Sequence, residues 1–296
     1  MFQKYKYHIL LHFIILLYGF TGILGKLIHQ DFTTIVWYRL LFALIGLGMV
    51  LLYLKKSIKI SSTKQLLGLF GIGIIVALHW ITFYKSIQLS TASLGILCLS
   101  TTTLHVSWLE PLIMKRKFSW IEFSLGLFVI AGIYFVSNDF KATDYDAVVY
   151  GLSSAFLAAL FSSLNGLVVQ KVPSTTMTFY EILMSLIFVT FILIVQGNFN
   201  ASLFQLSTSD FLWLLFLGVG CTSFAFLVTI DLIKRLGNFT VSLSINMEPV
   251  YTILLAIFIL HENKLLGSQF YIGSILIVLV VIANPIIKYF LSQKPT

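Results

Sequence analysis

Long apolar stretches alternate with short polar ones along this chain, and each apolar stretch approaches the length that crosses a membrane. A hydrocarbon core of about 30 Å calls for ~20 apolar residues in a helix. Scanning at that length marks ten candidate spans, at roughly 9–28, 34–54, 65–84, 91–114, 120–137, 148–170, 176–196, 211–232, 239–260 and 267–289. Backbone polar groups in lipid must satisfy one another, and runs this long suit helices rather than the alternating strands of a barrel. The pattern therefore predicts an all-α integral membrane protein with ten transmembrane helices. Loops of mostly about 5 to 14 residues leave no room for a soluble catalytic domain.

Composition agrees with the pattern. Hydrophobic residues make up 58% of the chain and charged ones 10%, with mean hydropathy +0.98, against roughly a quarter charged in soluble domains. Lys4 and Lys6 precede the first span as they would a secretory leader. That span is long, has no small-residue cleavage site after it and is followed by nine more, so it is read as retained. Cys98 and Cys221 both fall within spans, without metal or disulfide spacing.

The net charge of +8 would suggest nucleic acid in a soluble protein, but its distribution says otherwise. With the N-terminus in the cytoplasm, Lys4, Lys6, Lys55, Lys56, Lys59, Lys64, Lys115, Arg116, Lys117, Lys171, Lys234, Arg235, Lys288 and Lys294 fall inside. Only Lys85, Lys141 and Lys264 fall outside. This is the positive-inside asymmetry, and it predicts cytoplasmic termini and no nucleic-acid partner.

The chain also repeats itself weakly. Shifted by 142 residues, Thr33-Thr34-Ile35-Val36-Trp37-Tyr38-Arg39-Leu40-Leu41 falls on Thr175-Thr176-Met177-Thr178-Phe179-Tyr180-Glu181-Ile182-Leu183. Shifted by 147, Phe123 and Gly126 fall on Phe270 and Gly273. The expected organisation is two five-helix halves, residues 1–140 and 141–296. Because five is odd, the second half would cross in the opposite sense, giving the inverted-topology repeat of many transporters.

The ten spans, the two halves, the charge early in span 2, Asn246-Met247-Glu248-Pro249-Val250 and His261-Glu262-Asn263-Lys264-Leu265 with Gly273 together resemble the drug/metabolite transporter superfamily, in its ten-helix EamA-type metabolite exporter branch. The resemblance spans nearly the whole chain and is strongest in the last 60 residues or so. It implies a central cavity, opened alternately to each side, that moves amino acids or other small metabolites outward across a bacterial plasma membrane. The first half departs from the second: Thr101-Thr102 stand opposite Glu248-Pro249, and Lys115-Arg116-Lys117 opposite Glu262-Asn263-Lys264.

Several polar residues fall inside apolar runs. Arg39 lies about 8 Å inside the outer boundary of span 2 and Glu181 about 8 Å inside the inner boundary of span 7, at 1.5 Å per residue. About 15 Å of depth then separates them, too far for a direct ion pair. Arg39 either snorkels or contacts a neighbouring helix, or serves substrate or a gate. Glutamate is shorter, so snorkelling explains Glu181 less well. Glu248 falls near the middle of span 9, where a carboxyl group faces a wet cavity, pairs with a cation or is protonated. Pro249 removes a backbone donor and frees a carbonyl one turn back, which predicts a kink, either as a structural feature or lining a cavity.

Thr101, Thr102, His105 and Trp108 on span 4 follow helical spacing, and His79, Trp80, Thr82 and Tyr84 on span 3 offer similar chemistry. Asn165 on span 6 and Ser242, Ser244 and Asn246 on span 9 add further partners. An intramembrane histidine is either a hydrogen-bonded packing residue or part of a proton relay. Trp37, Trp80, Trp108 and Tyr18 are placed to stack on a flat or cationic solute, whereas Trp120 and Trp213 suit an interfacial belt. Lys26 is expected to snorkel, and Gly19, Gly22 and Gly25 to allow close helix packing.

A carrier fits these features best. An intramembrane enzyme would need paired metal ligands or an activated nucleophile, and the chain has no HExxH and no GxSxG. A channel would carry repeated polar rings and a sensor an extramembrane readout domain. The expected site is bounded by spans 1, 3, 4, 6, 8 and 9. Glu248 and His105 lie near its floor and middle, and His79, Trp80 and Arg39 at its outer mouth. Coupling or gating falls to Glu248, Glu181, Arg39 and His105, with no metal and no cofactor. Expected partners are a small-molecule substrate and the bilayer, with proton coupling, for a monomer or homodimer. Multidrug or nucleotide-like solutes remain the alternative cargo.

Overall fold

The computed structural model describes residues 2–60, 62–137, 144–236 and 238–292. Among these residues every regular element is helical. The helices are α1 (Phe2–Leu27), α2 (Phe32–Tyr53), α3 (Thr63–Leu89), α4 (Ala92–Leu99), α5 (Thr102–Met114), α6 (Trp120–Ser137), α7 (Tyr145–Val168), α8 (Ser174–Val195), α9 (Thr208–Leu215), α10 (Ala225–Leu236), α11 (Asn238–Ile245), α12 (Glu248–Ile259) and α13 (Ser268–Ser292). A π-helical segment, Phe216–Phe224, joins α9 to α10.

Among the described residues seven segments are long and apolar enough to cross a membrane: Tyr5–Leu27, Phe32–Tyr53, Thr63–Leu89, Ala92–Met114, Tyr145–Val168, Ser174–Val195 and Thr208–Leu236. Shorter apolar helices run over Trp120–Val136, Glu248–Ile259 and Ser268–Val280. The chain is an all-helical, multi-pass membrane protein. The expected boundary between halves, at residues 140 and 141, lies outside the described residues, as do Lys141 and Lys294.

Polar residues start the helices where the loops end. The Asp31 carboxylate accepts from the Thr33 amide at the head of α2, Ser62 from the Lys64 amide at α3, and Thr91 from the Leu94 amide at α4; each satisfies an otherwise orphaned donor. Small residues then set how close the helices come. Gly19 and Gly22 place α1 against Thr252 of α12, and Gly25 places it against Tyr84 of α3. The expected glycine stripe is thus a packing surface. Elsewhere α3 packs on α7 and α8, α2 on the π segment and α6 on α13. Lys26 is half-buried, its Nζ 3.4 Å from the Gln88 carbonyl oxygen.

Glu262 has a role that the sequence motif did not disclose. Its side chain is buried and accepts from the Ala92 amide at 2.8 Å, the Ser93 amide at 3.1 Å and the Ser93 hydroxyl at 2.5 Å. A carboxylate here caps the N-terminus of α4, where the helix dipole favours negative charge. Glu262→Gln keeps the shape but removes the charge and one acceptor, so it is expected to lower stability by about 2 kcal/mol, or roughly 5 °C in Tm. Thermal unfolding of the purified variant in detergent checks this; an unchanged Tm would mean that the cap contributes nothing.

Candidate functional site

Two helices are interrupted, and both interruptions face the same space. In the first half, α4 ends at Leu99, Ser100 and Thr101 form a turn, and α5 resumes at Thr102. In the second half, α11 ends at Ile245, Asn246 and Met247 form the turn, and α12 resumes at Glu248. With the 147-residue shift, the turn at 100–101 falls on 247–248, one residue from the turn at 246–247.

Their local causes differ. Proline at 249 has no amide hydrogen to donate and fits the first turn of a helix, so the chain restarts there after a turn. The result is a break rather than the expected kink. In α4–α5 there is no proline at the break; a run of hydroxyls bonds back to the chain instead. Ser100 donates to the Ile96 carbonyl, Thr101 to Cys98, Thr102 to Leu99 and Thr103 to Ser100, at 2.6–3.1 Å. Such back-bonding satisfies carbonyls that an irregular turn inside a membrane protein would leave exposed.

The first cavity, about 370 Å³, lies between these breaks and is lined by Ser100, Thr102, Thr103, Asn246, Glu248 and Pro249 together with His79 of α3 and Phe161 of α7. His79 is buried, and its Nδ1 donates to the Ser154 carbonyl at 3.0 Å, because a carbonyl can only accept. A neutral ring so held keeps Nε2 as its acceptor. The Ser154 hydroxyl in turn donates to the His79 carbonyl at 3.1 Å.

A second cavity, about 240 Å³, also borders Phe161 and is lined by Tyr18, Arg39, Trp80, Asn165, Glu181, Thr222 and Phe226 among others. Arg39 does not snorkel. It is buried, its Nε donates to the Thr222 hydroxyl and its Nη1 to the Tyr84 hydroxyl, both at 3.1 Å, and its guanidinium carbon sits 4.1 Å from the Trp80 ring centroid. Thr222 belongs to the π segment, where its hydroxyl also donates to the Leu217 carbonyl at 2.8 Å. The widened turn thus carries the arginine's partner. Arg39 also lies within electrostatic reach of Glu248 and Tyr18, which ties the two cavities together.

Glu181 is buried on α8, with Oε1 lacking a hydrogen-bond partner among the described residues; the same holds for Asn165 Oδ1 and His105 Nδ1. The Asn165 side chain interacts with Glu181. Among the described residues Glu181 and Arg39 line one cavity without forming an ion pair.

The sequence-derived residues thus divide three ways. The first cavity gathers His79, Thr102, Asn246, Glu248 and Pro249, and the second gathers Tyr18, Arg39, Trp80, Asn165 and Glu181. Tyr84 stands behind Arg39. Thr101, His105 and Trp37 line neither cavity. Thr101 is fully buried with its hydroxyl returned to the backbone, and His105 packs against Trp108 and Phe156. Trp37 donates to the Thr190 hydroxyl at 2.9 Å and meets Tyr38, Phe199 and Phe204 edge-on.

The expected boundary also needs correcting, because α2 and α8, which carry spans 2 and 7, supply Arg39 and Glu181 to the second cavity. Both side chains turn inward, where neighbouring helices offer polar partners that lipid does not. The residues not anticipated were Phe161, Ser100, Thr103 and Thr222. The Ser100–Thr103 run was visible as four successive hydroxyls, whereas Phe161 has no signal in so phenylalanine-rich a chain.

Comparison with known proteins adds three findings. The model of the EamA-like transporter family matches residues 6–138 and again residues 147–284. No curated protein matches the chain. A solved structure titled "Crystal structure of protein" shares 14% identity over 93% of this chain and 95% of that one, with a TM-score of 0.65, which is likeness of fold alone.

Proposed function

The chain belongs to the EamA-like transporter family, and on that premise we propose that it is a small-solute carrier of the plasma membrane that works by alternating access. The observation that carries this reading is the pair of helix breaks at corresponding positions of the two halves, both lining the cavity that holds Glu248. Interrupted helices at the midplane of inverted repeats are how many transporters expose backbone groups to solute. In this reading ten helices form two five-helix halves of opposite orientation, with both termini cytoplasmic as the lysine and arginine distribution favours. The halves rock about the two cavities and carry amino acids or related metabolites outward. Glu248 contacts the solute or carries a coupling proton, and His79, held by Ser154, stands beside it.

Cysteine accessibility tests this. In a background lacking Cys98 and Cys221, a cysteine at Ser100 or at Asn246 is expected to react with a membrane-impermeant maleimide from one face of sealed vesicles and, when solute is added, to shift toward the other. Labelling unaffected by every solute, from folded protein, would oppose alternating access.

A further inference from the structure

We propose that Glu262 and Asp210 form a one-sided lock, which holds the two halves together at one end of the bundle so that the unloaded carrier rests closed there. This rests on the carrier reading and adds to it a resting state and the contacts that set it.

Both acids belong to the second half, and both are 3% exposed. Glu262, in the turn after α12, accepts from the Ala92 and Ser93 amides and the Ser93 hydroxyl at the head of α4, in the first half. Asp210, in the first turn of α9, accepts from the His29 amide at 2.9 Å and the Gln30 side chain at 3.2 Å, in the loop between α1 and α2. Gln88 and Lys26 join these two contacts into one layer. The Gln88 side-chain nitrogen donates to the Gln30 carbonyl at 2.8 Å, and Lys26, whose Nζ approaches the Gln88 carbonyl, lies within electrostatic reach of Glu262. Hydrogen bonds to a carboxylate are stronger than those between neutral groups, and a buried carboxylate deprived of its donors is left with a large desolvation cost. Each acid therefore opposes separation of the halves at this end.

The repeat puts no acid at the matching places of the other end. A shift of 146 residues carries α4 onto α11 without remainder: Ala92–Leu99 falls on Asn238–Ile245, the turn at 100–101 on the turn at 246–247, and Lys115 at φ 55° on His261 at φ 54°. Glu262 then corresponds to Arg116. A guanidinium has no acceptor, so Arg116 cannot cap α11 as Glu262 caps α4. It pairs instead with Glu110 of α5, in its own half, at 2.6 Å. Likewise Ser62 and Ser207 cap α3 and α9 from positions 145 residues apart, which sets the uncharged Gln65 against Asp210.

The contacts between halves at that other end are of a weaker kind. Arg235 of α10 donates to the Tyr7 hydroxyl of α1 at 2.8 Å, but in solvent, and its carboxylate partner Asp231 lies on its own helix. Exposed charged contacts contribute little. The Thr176 hydroxyl donates to the Ser57 carbonyl at 3.3 Å, a long bond between neutral groups. The two ends are thus unequally fastened. The looser one carries Lys115, Arg116 and Lys117, the end that the basic residues assign to the cytoplasm, so the resting carrier faces inward.

Pulsed electron-spin distance measurement on the full chain in lipid nanodiscs tests the lock, in a background lacking Cys98 and Cys221. Labels at Leu89 and Asn198, both exposed, report across the halves at the fastened end, and labels at Lys56 and Lys234 report at the other. Without solute, the native chain is expected to give one short distance at the fastened end and a broader distribution at the other. Glu262→Gln and Asp210→Asn are each expected to raise the ratio of open to closed molecules at the fastened end about tenfold or more. A cap that serves stability alone would lower Tm and leave both distances as in the native chain, which overturns the proposal, as does a native chain that stands open at the fastened end. Should one variant fail to fold, the other decides; should both fail, the native distances at the two ends decide alone. Counterflow on the same preparation separates the two readings. Opening in the variants without counterflow of any solute keeps the lock and removes the carrier, whereas counterflow with both distances unmoved keeps the carrier and removes the lock.

Discussion

Replacing Arg39 with lysine is expected to lower transport about 100-fold while leaving the protein folded. The guanidinium serves Thr222, Tyr84 and Trp80 at once, through two separate nitrogens and a planar face. A lysine ammonium is a point charge on a narrower stem and keeps at most one of these contacts. Losing one hydrogen bond to a charged group and the stacking on tryptophan costs about 3 kcal/mol, and each 1.4 kcal/mol is roughly tenfold. The measurement is the initial rate of solute exchange in proteoliposomes, with gel filtration to confirm folding. Wild-type exchange in Arg39→Lys would assign Arg39 to packing alone.

Glu248→Gln is expected to have the larger effect, abolishing transport or uncoupling it from the proton gradient. The amide has the shape of the acid, so the turn at Asn246–Met247 and the start of α12 should persist. What it lacks is the ability to ionise. If exchange survives but an imposed pH gradient no longer drives it, Glu248 carries the proton. If exchange itself falls by more than about 100-fold, equivalent to some 3 kcal/mol, the carboxyl contacts the solute. Unchanged transport at several pH values would remove Glu248 from the mechanism.

How much of this was legible in the sequence depends on what each residue's role required. Span positions follow from apolar run length, which is set by bilayer thickness, and they coincide closely with α2, α7 and α8, whereas α1 starts seven residues before its expected span and α3 ends five residues after its own. Glu248-Pro249 was legible because an acid and a proline are both costly inside a membrane helix. Arg39 and Glu181 were equally visible, yet their direction was not. Whether a charged side chain snorkels or turns inward depends on which neighbouring helices offer partners, and Thr222 lies 183 residues from Arg39. The π segment was hidden for a related reason, since widening a turn leaves hydropathy unchanged. Trp37 shows the opposite error: aromatic residues within spans serve packing as readily as solute, and periodicity does not distinguish the two.

The place of Phe161 in the walls of both cavities also had no local signal. Only the assembled bundle shows that one ring faces both the Glu248 cavity and the Arg39–Glu181 cavity. That arrangement places the Glu248 carboxyl group and the Arg39 guanidinium in cavities that share this ring.

Counterflow in proteoliposomes tests the central claim most directly. Vesicles are loaded with an unlabelled amino acid, diluted into a trace of the same solute labelled, and followed with and without a pH gradient. The carrier account predicts transient, saturable accumulation of label for at least one solute, absent from empty vesicles and from the Glu248→Gln protein under the gradient. Absence of accumulation for every amino acid, drug and phosphorylated metabolite tried, from protein shown to be folded and inserted, would contradict it.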